Sequence, residues 1–317
     1  MSRLFGALLS RLGPRGIFLF LLTFVTVSPS SSLAQQAPPA APAANGYVGA
    51  ETCKTCPADQ FESFSQTTMG NLLLKHPRNA KEALGCEVCH GPGKAHVEAG
   101  GGKGVGGLIS FSKKDPHPVE EQNAACLKCH EKTARLYWKG SPHQSRDVAC
   151  TNCHRVMVQV SKRRQLAQAT VIETCGQCHI QRRAQLMRSS HMPLREGKMD
   201  CVSCHNPHGT ATEKLLKANS VNETCYTCHA EKRGPFLWEH PPVTESCSNC
   251  HDPHGSNHEK MLKVSKPRLC QQCHVESRHP TRSQDPRTRF VFNRSCTNCH
   301  SQIHGSNHPS ASGRFQR

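Results

Sequence analysis

Residues 201–255 read CVSCHNPHGTATEKLLKANSVNETCYTCHAEKRGPFLWEHPPVTESCSNCHDPHG. Three times in this stretch two cysteines stand three positions apart with a histidine directly after them: Cys201-Cys204-His205, Cys225-Cys228-His229 and Cys247-Cys250-His251. One turn of helix brings residues i and i+3 onto the same face, so two thiols and an imidazole are presented together. The pattern recurs at Cys86-Cys89-His90, Cys126-Cys129-His130, Cys150-Cys153-His154, Cys175-Cys178-His179, Cys270-Cys273-His274 and Cys296-Cys299-His300. A further pair, Cys53 and Cys56, is followed by Pro57, so all 20 cysteines fall into ten pairs.

Thiols so spaced can form thioethers with both vinyl groups of one haem, and the next residue then offers its imidazole to the iron. A disulfide framework has no reason to set every cysteine three from another with histidine next. Zinc ribbons need no histidine after each knuckle, and a thioredoxin-like pair belongs in a βαβ context that is missing here. The reading is haem c at nine complete motifs, with His90, His130, His154, His179, His205, His229, His251, His274 and His300 as proximal ligands. At Cys53 and Cys56 either the haem is missing or it is attached with His76 as its only protein ligand. The second case leaves an open iron position of the kind a ligand-binding or catalytic haem requires.

The spacing of the motifs exposes a repeat. Cys126, Cys175, Cys225 and Cys270 follow one another at 49, 50 and 45 residues, and Cys150, Cys201, Cys247 and Cys296 at 51, 46 and 49. The chain is therefore read as a row of two-haem units, five of them if Cys53 pairs with Cys86. Twelve histidines lie outside the nine motifs, and most follow the repeat. One precedes the second motif of each unit (His76, His143, His191, His240 and His279), and another follows it in four units (His96, His208, His254 and His304). These nine are the candidate distal ligands. His208 and His254 lie three residues beyond a proximal histidine, a reach of about 10 Å at most, and so are expected to serve a neighbouring haem. In the Cys150 unit the corresponding residue is Met157, which would give a haem of higher potential; His117 is the alternative. His258 and His308 are left without an iron and read as surface or propionate contacts.

Composition agrees with a core that is not made of side chains. Only 36% of residues are hydrophobic, cysteines included, with 11 Phe, 3 Tyr and 2 Trp against 23 Gly and 21 Pro. Short helices around the motifs joined by long irregular loops are expected, with stacked porphyrins supplying most of the buried surface. Trp138 and Trp238 are expected to pack on porphyrin edges. Arg3, Arg11 and Arg15 ahead of the apolar run 17–27, and Ser32-Leu33-Ala34 after it, read as a secretory signal spanning residues 1–34. Residues 35–49, rich in Pro and Ala, read as a linker, and 50–317 as the multihaem domain. No later stretch is apolar enough for a membrane helix. Without the three signal arginines the formal charge falls from +17 to +14. Haem propionates explain that excess better than nucleic acid does, since aromatics are not interleaved with the basic stretches. The Gly-rich run 100–107 lacks the Gly-Lys-Ser/Thr of a phosphate loop.

From Ala50 to Arg317 the chain resembles the decahaem cytochromes of outer-membrane conduits, the MtrA, PioA and DmsE family. The resemblance rests on GCEVCHGP at 85–92, ETCYTCHAEKRGPFLWEHPPVT at 223–244 and RSCTNCHSQIHGSNHP at 294–309. It implies ten haems, each with two histidines, in one staggered, elongated chain inserted in an outer-membrane β-barrel porin, which passes electrons between periplasm and exterior. It also implies a periplasmic or inner-membrane cytochrome at one end, and an extracellular multihaem cytochrome or reductase at the other. Pro57 and Met157 depart from the family pattern. The function read is electron carriage rather than catalysis; the rivals are a multihaem reductase with its open site at Cys53/Cys56, and a soluble periplasmic shuttle.

Overall fold

The computed structural model describes residues 46–55, 58–274 and 295–308. The signal segment, most of the linker, Cys56, Pro57 and His279 lie outside them. Among the described residues there are short helices, five isolated β-bridges and no strands. The longest helix, Val119–His130, has 12 residues and ends on the histidine of a motif. Buried apolar side chains number nine among the described residues, Phe64 and Trp138 being the only aromatic ones. That is far less than a chain of this length needs to offset its ordering entropy.

Local sequence explains where the helices begin. Thr170 accepts a hydrogen bond from the Glu173 N–H while the Glu173 carboxylate takes the Thr170 N–H at 3.0 Å, a capping box that opens Val171–Gly176. Ser220 caps Val221–Tyr226 by accepting from the Glu223 N–H at 3.1 Å. Each of these helices carries the first cysteine of a unit.

Within a unit, the first motif is clasped to the second. Buried Asn222 donates to the Val243 and Thr244 carbonyls at 2.9 and 3.0 Å and accepts from the Cys247 N–H at 2.7 Å. Asn123 does the same two repeats earlier, donating to Val148 O and accepting from the Cys150 N–H. In the first unit a carboxylate takes this part. Glu87, between Cys86 and Cys89, accepts from the Val48, Gly49 and Gly93 N–H groups at 2.9, 2.8 and 2.8 Å.

A second clip follows the later motif of three units. The chain turns through left-handed pairs at Arg164-Gln165, Lys214-Leu215 and Lys260-Met261. It then returns to bridge His154 with Leu166, His205 with Leu216 and His251 with Leu262. A left-handed conformation costs a non-glycine residue roughly 1–2 kcal/mol, so its recurrence at equivalent places points to a constraint on the carbonyls those residues carry.

Between units, the loop after the later motif reaches back along the chain in three cases, after Cys204, Cys250 and Cys299. The Ser256–Ser190 and Ser306–Trp238 bridges fasten it with paired backbone hydrogen bonds of 2.7 to 3.0 Å. Glycine is required at the contact. A Cβ on Gly209 (φ +112°) would lie 2.0 Å from the Tyr137 carbonyl oxygen, and one on Gly255 (φ +124°) 2.2 Å from that of Gln185.

Candidate haem-binding site

The thiols form a ladder. Cys53 neighbours Cys86, Cys126 neighbours Cys150, Cys175 neighbours Cys201, Cys225 neighbours Cys247 and Cys270 neighbours Cys296. These are the opening cysteines of the two motifs in each of the five units. The closing cysteines face the next unit: Cys89 neighbours Cys129, Cys153 neighbours Cys178, Cys204 neighbours Cys228 and Cys250 neighbours Cys273. No two described cysteines form a disulfide. Burial, with the adjacent Cys247, pushes the Cys225 thiol up to about 12, and burial pushes Cys89 up to about 11.

Histidines pair across the ladder. Ring centroids lie 6.0 Å apart for His154 and His208, 6.2 Å for His205 and His254, 6.2 Å for His240 and His274, and 6.3 Å for His251 and His304. These rings are within 12° to 24° of parallel. His143 and His179 stand 6.2 Å apart at 74°. Two imidazoles on one metal, each with a bond of about 2 Å and a centroid about 1 Å further, would be separated by roughly 6 Å. In each pair at least one ring has its Nδ1 engaged by a backbone carbonyl, which leaves Nε2 for iron. His154, His205 and His251 each contact the carbonyl of a left-handed residue, Arg164, Lys214 or Lys260, at 2.8 Å. His143 contacts Pro207 O at 2.7 Å and His240 contacts Ile303 O at 3.1 Å. Those carbonyls directly precede His208 and His304, so one loop serves two histidine pairs.

In each pair burial disfavours the protonated form of one ring, and metal binding demands the neutral form. Burial, reinforced by His154 and Arg135, holds the His208 imidazole down at about 4. Burial lowers His179, His240, His254 and His304 as well. One continuous cavity of about 2680 Å³ runs from Cys86 and His90 through the motifs of the middle units to His251. A pocket for a single small ligand measures about 300–1000 Å³, so this one has room for a row of porphyrins. Donor set, ring separation and space all fit covalently held haem.

The remaining candidates are arranged differently. His90 touches Ile109 O through Nδ1 at 2.6 Å and meets the Phe111 ring edge-on at 5.4 Å. His117 opens into the cavity beside it, its Nδ1 2.6 Å from the Asp115 carboxylate. Met157 is 37% exposed, and Val158 rather than glycine follows it. His96 contacts Val105 O at 2.8 Å. His191 contacts Arg188 O through Nδ1 and Glu196 through Nε2. Among the described residues His76, His96, His117, His130, His191 and His229 form no ring pair. His258 is half-buried and His308 exposed. Trp138 is buried with its ring 6.4 Å from that of His208, whereas Trp238 is 40% exposed. Sequence reasoning missed Asp115, Asn123 and Asn222. Asp115-Pro116 is a turn signal, and each asparagine stands three residues before a motif, so both signals were present.

Residues 191–234 and 240–279 match the doubled CXXCH motif family, and residues 86–178 match the cytochrome c-type protein NrfB-like family. The multiheme cytochrome MtrA of Shewanella baltica is 43% identical over 271 residues, covering 83% of this chain and 80% of that protein. The chain belongs to the MtrA family. A high-molecular-weight cytochrome c of Nitratidesulfovibrio vulgaris is 22% identical over 54% of this chain but only 29% of its own length. As in other multihaem cytochromes of this family, electrons move through several covalently bound c-type haems, and the short-helix, repeat-built fold is the scaffold for them. No helix of the described residues is long and apolar enough to cross a membrane.

Proposed function

We propose that residues 50–317, exported by a signal at 1–34 and tethered by a linker at 35–49, form an outer-membrane electron conduit rather than an enzyme. The protein sits in a β-barrel porin. It exchanges electrons with a periplasmic or inner-membrane cytochrome at one end and an extracellular multihaem cytochrome or reductase at the other. The observation that carries this reading is the unbroken thiol ladder from Cys53 to Cys296, which leaves no gap between consecutive attachment points. Bound haem supplies a one-electron couple at each position. The chain fixes order, orients imidazoles and buries one ring of each described pair.

The ligand assignment follows the ring pairs. Each iron attached at a later motif takes its second imidazole from the loop of the next unit: His208 for the His154 iron, His254 for His205 and His304 for His251. Each iron at an earlier motif takes it from the unit before: His143 for His179 and His240 for His274, and by the same register His76 for His130 and His191 for His229. At the His90 iron we assign His117 over Met157, because the loop holding His117 also supplies the Ile109 carbonyl to His90, while Met157 lacks the glycine that lets its counterparts reach back. His96 is left for the Cys53/Cys56 position, near which Lys94 N–H binds Gly46 O at 3.0 Å. His279 is left for the His300 iron.

Detergent extraction of the native outer membrane, followed by affinity purification of this chain, tests the conduit reading. Co-purification of a β-barrel partner and electron transfer across proteoliposomes are expected. Recovery of the chain alone from the soluble periplasmic fraction would favour a shuttle, and rapid binding of carbon monoxide or nitrite would favour a reductase.

A further inference from the structure

The Asp115 side chain is fully enclosed, with no solvent exposure. It lies among donors. The Ser110 hydroxyl donates to Oδ2 at 2.6 Å, the Phe111 N–H donates to the same oxygen at 2.9 Å, and the Ser110 N–H also points to it. Oδ1 accepts the His117 N–H at 2.9 Å and meets the His117 Nδ1 at 2.6 Å. A carboxylate fixed by these donors thus faces the ring nitrogen opposite the one His117 has for iron.

The paired histidines are served otherwise. His143, His154, His205, His240 and His251 rest their Nδ1 on neutral backbone carbonyls. Three other motif or distal histidines have a carboxylate near a ring nitrogen, but at 3.6 Å for His229–Glu231 and 3.7 Å for His254–Asp252, and at 3.0 Å for His191–Glu196, with Glu231 60% and Glu196 47% exposed. A short hydrogen bond to a carboxylate draws the imidazole proton away and makes the opposite nitrogen a stronger donor to metal. A stronger donor favours ferric over ferrous iron and makes the couple more negative.

We propose that Asp115 is a positioning residue that gives His117 imidazolate character and makes the iron His117 serves the most negative of the row. The inference rests on the reading of His117 as an iron ligand. An electron crossing this position climbs from either neighbour, so Asp115 sets the steepest step in the chain.

The test is a potentiometric titration of the haem-loaded full-length protein, followed by EPR and visible absorption. In Asp115→Asn the most negative component should shift positive by at least tenfold in its oxidised-to-reduced ratio, about 59 mV for a one-electron couple. Asparagine turns an N–H toward the Ser110 and Phe111 donors and can prevent folding. Ser110→Ala therefore provides the second arm. It frees charge on Asp115 and should shift the same component further negative. A fully loaded Asp115→Asn protein with an unchanged titration, or a Ser110→Ala protein with no negative shift, overturns the proposal. His117→Met separates it from the ligand assignment: a new thioether-to-iron band in the far red is expected, and an unchanged spectrum means that His117 is not a ligand.

Discussion

Replacing Gly209 by alanine should detach one iron ligand without touching any group that binds metal. The added Cβ would lie 2.0 Å from the Tyr137 carbonyl oxygen, 2.5 Å from its carbon and 2.9 Å from the Tyr137 Cβ. Non-bonded heavy atoms rest at roughly 3.5 Å, so the loop must withdraw by more than about 1 Å. The φ of +112° adds strain of about 1–3 kcal/mol for a residue with a side chain. His208 precedes this glycine directly, and a bond of about 2 Å to a metal cannot follow a withdrawal of that size. The His154 iron should lose its second imidazole. Its ferric EPR should change from low-spin to high-spin in one haem of the set, with carbon monoxide binding to one equivalent after reduction. Haem content by mass checks that loading is intact. An entirely low-spin spectrum in fully loaded protein would refute the reasoning, because it would mean that His208 reaches its iron without close approach to Tyr137.

Asn222→Ala removes three hydrogen bonds and strands the Cys247 N–H; at about 1 kcal/mol each it should cost roughly 3 kcal/mol, read as a lower denaturant midpoint of the holoprotein with no change in haem number. The Arg78 guanidinium, bonding at 2.6 to 3.1 Å, draws the Glu82 carboxyl down to about 2. A depressed acid stabilises the fold above its unfolded value near 4.5, and that contribution is lost as pH falls toward 2. Glu82→Gln should therefore flatten the stability profile between those limits, and an unaltered slope would show that the clamp is not ionised. The His143 and His179 rings cross at 74° while four other pairs lie within 24°. One ferric haem should therefore give a highly anisotropic EPR signal among rhombic ones, which His143→Met abolishes; a spectrum of rhombic signals alone would count against the pairing.

Much of this was legible in sequence, because covalent attachment ties chemistry to spacing. The repeat intervals that group Cys126 with Cys150 or Cys225 with Cys247 are the groupings seen in thiol contacts, and the expected short helices in irregular chain are the fold. The candidate distal histidines came from the same spacing, and His208 does lie opposite a motif histidine of another unit, His154. What spacing could not supply was direction. Nothing in the order of residues says that the loop after a later motif turns back to the preceding unit, because that depends on glycine φ values and on backbone contacts at Tyr137 and Gln185. Nor could it show what orients each ring. Apart from Asp115, the acceptors within 3.1 Å of an Nδ1 are main-chain carbonyls at residues such as Arg164 and Lys214, whose side chains carry no sign of the role.

The account depends on the paired thiols having become thioethers. Intact mass of the denatured mature protein, isolated from a host that matures c-type cytochromes, measures this directly. The mass of the polypeptide plus at least nine haems, retained through acid and denaturant, is the predicted result. A mass equal to the bare polypeptide, with titratable thiols or with two hydrogens lost per disulfide, would contradict it.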